Sequence, residues 1–222
     1  MRILISAGPT REPLDPVRFL SNYSTGYLGA RVAAEALARG HQVTVVLGPS
    51  TEPMPGGARV IPVTTAREME QALRRAARRA DAIIMAAAVC DFRPARVSAA
   101  KLRRRSRLTL ALEATPDLIG RLPRRARQVV AGFALESDRV VARAAQKLRA
   151  KRLDLLLAQE VTRRSAPFGR TRVRAWLLGR GGAVTTLGRV PKQTVARALL
   201  DKVEGLWYGQ HEPNIASHVA KT

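Results

Sequence analysis

Cysteine, aromatic residues, lysine and acid are all scarce in this chain. The single cysteine, Cys90, excludes an internal disulfide framework, and no CxxC pair exists to build a thiolate zinc site. Aromatic residues make up 4% of the 222 residues, too few to lay out stacking platforms for single-stranded nucleic acid. No stretch approaches the roughly 20 apolar residues of a spanning helix. The opening MRILISAG is too short for a signal-sequence core and lacks its cleavage site. A soluble, cytoplasmic chain with no membrane partner is expected.

Acidic residues number 17 against 39 basic ones, only six of them lysine, for a formal charge of +22. Such a balance raises the question of a polyanionic partner. The cations, however, are spread along amphipathic helices, as in LRRAARR at 73 to 79, where a solvated face accounts for them. Nucleic acid is therefore not the expected partner, and the charge is better read as steering small anions.

What is present is a regular alternation of strand and helix signals. RILISAG (2 to 8) reads as a buried strand, 29 to 39 as a helix, and 41 to 48 and 58 to 63 as strands. Residues 66 to 80 form a helix with Met69, Leu73, Ala76 and Ala77 on one face, and DAIIMAAAV (81 to 89) is the continuous apolar run of a strand covered on both sides. Residues 91 to 107 read as a long loop and 107 to 114 as a strand. A helix is expected from TPDLIGRL, with Thr115 as N-cap and Pro116 at the first turn. A strand at 128 to 135, a helix at 139 to 152, a strand at 153 to 158 and a hairpin over 171 to 187 turning at GRGG follow, then a last helix to Trp207. The pattern is α/β and Rossmann-like: a mostly parallel sheet, helices on both faces, and an appended β-hairpin lobe that is a candidate dimer edge. Residues 1 to 207 make one domain, and 208 to 222 read as a loose tail.

GPTREPLDPVRFLSNYSTGYLG, residues 8 to 29, lies where such a sheet places its first phosphate loop. A dinucleotide fingerprint needs GxGxxG directly after the first strand and an acid near the end of the second. Here an eighteen-residue step separates Gly8 from Gly26, and the second strand ends in Leu47-Gly48-Pro49, which disfavours a nicotinamide-dependent reductase. The insert brings Arg11, Arg18 and Asn22 beside Gly26 and Gly29, which precede a helix whose positive end can receive an anion. The same residues also suit a rigid surface loop pinned by Pro9, Pro13 and Pro16, and the two readings stand side by side. His41, His211 and His218 show no triad or metal spacing, and His41 reads as structural.

AGPTREPLDPVRFLSNYSTG, AAAVCDFRP, TPDLI, VVAGFALE and QKLRAKRLDLLLA occur in this order, and together they resemble bacterial phosphopantothenate-cysteine ligase, also called phosphopantothenoylcysteine synthetase. That family is usually the C-terminal half of a bifunctional coenzyme A biosynthesis protein. The resemblance implies a homodimeric ligase that uses CTP and Mg²⁺ to join 4′-phosphopantothenate to cysteine through an acyl-cytidylate. It implies catalytic roles for Asn22, Arg18 and Lys101. It implies nucleotide binding by Gly8, Ala87, Asp91, Lys101, Pro116, Asp117, Leu118, Ile119, Phe133, Lys147 and Lys151, and phosphopantothenate binding by Asn22, Gly26, Gly29 and Lys192. No protein metal ligands are implied, since Mg²⁺ rides mainly on the nucleotide phosphates. On spacing alone, Asp91 equally suits a turn or cap, and Lys101 a solvated charge run.

Arg139, Arg143, Lys147 and Lys151 fall at steps of four on one helix, a stripe that a neighbouring polyanion would stabilise. The chain departs from the family at STGYLG, where Tyr27 replaces a lysine, and at Ala158-Gln159-Glu160, where the family writes AND. These departures keep open a nucleotide-binding homologue without turnover. The flavin-dependent decarboxylase half that usually precedes this region is absent from the sequence, which suits either a stand-alone synthetase or a fragment.

Overall fold

The computed structural model describes residues 1–162 and 165–211. In chain order the elements are β1 (Arg2–Ala7), β2 (Arg11–Pro13), β3 (Phe19–Ser21), α1 (Tyr27–Ala38), β4 (Gln42–Leu47), β5 (Arg59–Pro62), α2 (Ala66–Ala77) and β6 (Ala82–Met85). They continue with β7 (Phe92–Pro94), β8 (Leu112–Ala114), β9 (Val129–Glu136), α3 (Val140–Ala150), β10 (Leu155–Glu160), β11 (Arg172–Gly179), β12 (Val184–Pro191) and α4 (Lys192–Gly209). Eight strands form one sheet in the order β12-β11-β10-β9-β6-β1-β4-β5. From β5 to β10 every pairing is parallel. β11 pairs antiparallel with β10 and β12 with β11, so the expected hairpin is appended to the sheet itself.

Central strands buried on both faces must be apolar throughout, and β6 (AIIM) is buried at every position. Alternate side chains feed two cores. Ile3, Ile5, Val43, Val45, Ile84, Leu155 and Leu157 pack with α1 and α4, whereas Leu4, Ile83, Val130 and Leu156 pack with α2 and α3. α1 lies close to the sheet because its inner face is small, with Gly29, Ala30, Val32, Ala33 and Ala36 all buried. α2 starts on a capping box: Glu68 N–H donates to the Thr65 hydroxyl, and the Glu68 carboxylate accepts from the backbone of Thr65. Its inner stripe is Met69, Leu73 and Ala77, at the i, i+4, i+8 spacing of one helical face. His41 is structural, as expected, with Nε2 lying 2.6 Å from Glu204 of α4.

Three local expectations change. The proline-rich insert folds back as the β2–β3 hairpin. The strand expected at 107 to 114 shortens to β8, which pairs with β7 inside the expected loop. TPDLIGRL makes turns rather than a helix: the Thr115 hydroxyl donates to Cys90 O at 2.6 Å instead of capping. Asp117 accepts from Gly120 N–H at 3.2 Å, and only two residues separate that glycine from Pro123. At the other end α4 extends through Gly209 and absorbs Tyr208, with Gln210 and His211 as a turn after it; the remainder of the expected tail, 212–222, lies outside the described residues.

Candidate functional site

Open parallel sheets collect ligands beyond the carboxyl ends of their strands, and there the chain carries a two-lobed cleft. The larger lobe, about 500 Å³, lies on the α1/α4 face and is walled by Gly26, Tyr27 and Gly29 of the α1 start and by Lys192 of α4. The smaller, about 300 Å³, lies on the α2/α3 face against residues 115–119, Lys147 and Lys151. Ala87, Val89, Asp91, Phe133 and Lys147 line both, so the lobes are one cleft crossing the sheet edge.

The α1 end is open. Its N-cap, Gly26, sits at φ 80° with no side-chain cap, and no acid occupies the first turn. A Cβ on Gly26 would come within 2.4 Å of Ser50 Oγ, and one on Gly29 within 2.4 Å of the Ala7 Cβ. The glycines thus admit the left-handed backbone and the close helix–strand approach, and the positive end of α1 is left facing the larger lobe.

Asn22 reaches this lobe from the end of the insert. Its Nδ2 donates to Val89 O at 2.9 Å and to Ala88 O at 3.4 Å. With both donors committed, the group it offers the cleft is the acceptor Oδ1. Asp91 is the one lining carboxylate without an ion pair among the described residues; the other, Asp117, is held by Lys151 Nζ at 2.5 Å. Burial raises the Asp117 pKa, but the Lys151 ammonium and the Gly120 N–H outweigh it and leave the carboxyl below its ordinary range. Lys147 has no such partner among the described residues. Burial pulls its pKa below the ordinary lysine value, against the pull of Glu136 and Asp91, so it is a partly desolvated cation whose charge an anionic ligand would stabilise.

The stripe on α3 divides. Lys147 and Lys151 line the cleft, whereas Arg143 pairs with Asp138 at 3.0 Å and Arg139 with the same carboxylate at 3.6 Å. Pro116, Leu118 and Ile119 wall the smaller lobe as turn residues, and Phe133 sits at the junction. Gly8, at φ 77°, ends β1 next to the cleft without lining either lobe.

Arg18 and Lys101 stand apart from it. Arg18 Nη1 donates to Asp15 Oδ2 and to Leu102 O, both at 3.1 Å, and Leu102 N–H donates to Asp15 at 3.0 Å. This knot ties the β2–β3 hairpin to the segment carrying exposed Lys101. Cys90 is buried, with its S–H directed at Thr10 O at 3.6 Å. Burial pushes the thiol pKa up, the opposite of what a thiolate nucleophile needs.

Tyr23, Ser24 and Thr25 lie inside the opening motif but were given no role by it, and the strap Pro167–Gly169 lies outside every motif; all of them line the larger lobe. Gln159 was visible only as a departure from the family. It is 6% exposed, its side chain lines the larger lobe, and its carboxamide has no hydrogen-bond partner among the described residues. No group of three or more His, Cys, Asp or Glu residues is placed to hold a metal among the described residues. No described helix is long and apolar enough to cross a membrane.

Fold and cleft together define an open-sheet, Rossmann-like domain with its ligand site at the carboxyl edge. Residues 1–206 match the family of DNA/pantothenate metabolism flavoprotein C-terminal domains, and the chain belongs to that family. It is 37% identical over 210 residues to the coenzyme A biosynthesis bifunctional protein CoaBC of Escherichia coli K12, covering 91% of this chain and 51% of that protein. It is 38% identical over 206 residues to a cysteine/cysteine sulfinic acid decarboxylase from an unknown prokaryote, covering 91% and 57%. The chain thus spans a little over half the length of these relatives. Among solved structures it is similar to the C-terminal domain of a CoaBC protein, with TM-score 0.79, 31% identity, and coverage of 94% of this chain and 96% of that one.

Proposed function

We propose that this domain is a CTP-dependent phosphopantothenate-cysteine ligase of coenzyme A biosynthesis. The observation that carries the reading is the division of the cleft. Of the eleven residues expected to bind nucleotide, nine, Ala87, Asp91, Pro116, Asp117, Leu118, Ile119, Phe133, Lys147 and Lys151, line the smaller lobe, four of them also reaching the larger, whereas Gly8 and Lys101 line neither. Asn22, Gly26, Gly29 and Lys192, expected to bind the acid, all line the larger one. Two reactants held in adjoining lobes meet at the junction, and that is the arrangement a ligase needs to turn a bimolecular encounter into an effectively unimolecular step.

In the first step a carboxylate oxygen of 4′-phosphopantothenate attacks the α-phosphorus of CTP, and the bond to the bridging oxygen breaks to release pyrophosphate. In the second, the amine of cysteine attacks the acyl carbon, loses a proton, and CMP departs. Lys147 and the α1 N-terminus offset the developing negative charge, while Asn22 Oδ1 accepts from a donor at the acyl centre. Mg²⁺ would be carried mainly by the triphosphate, with Asp91 the lining carboxylate free to approach it, and would supply neutralisation of phosphate charge. Lysine, asparagine and backbone groups then do the positioning, and no covalent nucleophile is needed.

Arg18 and Lys101 belong to the arm formed by the β2–β3 and β7–β8 ribbons, where Val17, Phe19, Phe92, Val97, Leu108 and Leu112 are exposed. An apolar arm of this kind suits contact with a second copy, giving a homodimer, and the reaction is placed in the cytoplasm. The deciding experiment supplies phosphopantothenate, cysteine, Mg²⁺ and each nucleoside triphosphate in turn and measures pyrophosphate. Release with CTP, only when the acid is present, is expected; no release with any triphosphate would end the assignment. Tyr27 and Gln159-Glu160 support one other reading, a nucleotide-binding homologue without turnover, which calorimetry would reveal as CTP binding with no product.

A further inference from the structure

Lys192 opens α4 and is 5% exposed, yet it makes no ion pair with any described carboxylate. Its Nζ instead donates to Pro167 O at 2.7 Å and to Gly169 O at 2.8 Å. The residue between those carbonyls, Phe168, places its ring 5.7 Å from that of Tyr23, and Pro167, Phe168 and Gly169 all wall the larger lobe. We propose that Lys192 is a positioning residue, whose ammonium holds the 167–169 strap in place as a wall of the acid-binding lobe and sets a positive charge behind it. The kinetic part of this inference rests on the ligase reading; the anchoring part does not.

A buried cation without a counter-ion is costly, and a methionine would fill the same channel without that cost. What lysine adds is two short charge-assisted bonds to backbone carbonyls that are neighbours in one turn. Burial lowers its pKa to about 8, with Glu52 pulling the other way. The other charged or titratable groups facing it are cationic or phenolic. Its Nζ lies 5.9 Å from the Tyr27 ring centroid, and Arg31 and Arg170 lie over the same ring at 5.3 and 5.6 Å, with Arg170 paired to Glu52 at 3.3 Å. Near pH 8 the charge on Lys192 is therefore poised, and an anion entering the lobe holds the proton on.

Two measurements test the proposal. In the ligand-free protein, tryptic cleavage after Arg170, identified by fragment mass, is expected to run at least ~10-fold faster in Lys192→Met, since an unanchored strap opens more readily. An unchanged rate overturns the anchoring. In wild-type turnover, KM for phosphopantothenate is expected to rise by roughly tenfold from pH 7 to pH 9 as the ammonium deprotonates. Lys192→Met should show the raised KM at pH 7 and no further rise. Lys192→Arg, which keeps its charge throughout, should hold KM low across the range. An unaltered pH limb in both variants overturns the charge role. Should the wild type release no pyrophosphate, the ligase reading fails while the cleavage rates still decide the strap.

Discussion

The two lobes of the cleft are built from different chemistry. In the smaller, four charged side chains, Asp91, Asp117, Lys147 and Lys151, crowd a space of about 300 Å³. In the larger, apart from the shared Asp91 and Lys147, Lys192 is the only charged lining residue among the described residues, and its ammonium is turned onto backbone. The rest of the larger lobe is neutral, with glycine, hydroxyl, amide and aromatic groups set among aliphatic ones such as Leu28, Val89 and Leu135. A polyphosphate needs mobile cations that can trade one partner for another; a chain of amides and hydroxyls needs fixed neutral groups and a defined wall. On the proposed ligase reading, the difference would let one sheet edge hold two unlike substrates without exchanging them.

The sharpest way to break this contrast is at Asn22. In Asn22→Asp a carboxylate would face the carbonyls of Ala88 and Val89, which now accept from Nδ2. The side chain must rotate away, taking the acceptor with it. Loss of turnover by about 10²-fold or more is expected, the scale of removing a group preorganised for the reacting centre. It would be read as a fall in CMP release with acyl-cytidylate accumulating. Normal turnover removes Asn22 from the mechanism.

Lys192 gives the next largest effect, in stability. Its folded pKa is about 8 against an ordinary 10.5. Below pH 8 both folded and unfolded chains carry its proton, and the folded protein bears the full burial penalty. Between pH 8 and 10.5 only the unfolded chain holds the proton, so stability rises with pH. Relative to Lys192→Met, denaturant unfolding of the wild type should gain up to about 3 kcal/mol over that window. Parallel pH profiles for the two proteins would show that the ammonium is better solvated than its burial implies.

In the smaller lobe the comparison is between two lysines one helical turn apart. Lys147→Met should raise KM for CTP by roughly 10- to 100-fold, because an unpaired cation beside a polyanion is lost. Lys151→Met should cost less, since Lys151 must first give up Asp117. Equal effects would mean that the Asp117 pair does not compete with the ligand.

Much of this was legible in the sequence, for identifiable reasons. The parallel strands announce themselves because burial on both faces leaves no polar position, and α2 because its cap and its 3.6-residue stripe agree. Asn22 and Lys147 both line the larger lobe, which agrees with the rule that ligands gather at the carboxyl edge of such sheets. TPDLIGRL misled because a good N-cap residue was already spent: Thr115 bonds Cys90 O, a partner 25 residues back in the chain. The division of the α3 stripe was hidden because Asp138, which engages Arg139 and Arg143, belongs to the turn before the helix. The strap was invisible for a similar reason, since its anchor is a lysine 23 to 25 residues farther along the chain.

Gln159 shows how the neutral lobe can be tested with the gentlest change. Gln159 is 6% exposed as a residue, and its carboxamide, which lines the larger lobe without a hydrogen bond to any described group, adds little to the stability of the ligand-free protein. Replacing it with leucine, of similar volume, removes no hydrogen bond to a described group, and unfolding should show stability unchanged to within about 1 kcal/mol. The same substitution removes a donor and an acceptor from the lobe proposed to hold the amides and hydroxyls of the acid. KM for phosphopantothenate should then rise by roughly 5- to 10-fold, about 1 kcal/mol, with KM for CTP held within twofold. Weakened binding with undiminished stability is what distinguishes a group kept for its ligand from one kept for the fold. If Gln159→Leu instead lowers stability and leaves both KM values alone, the amide serves the sheet edge, and the larger lobe discriminates by shape alone.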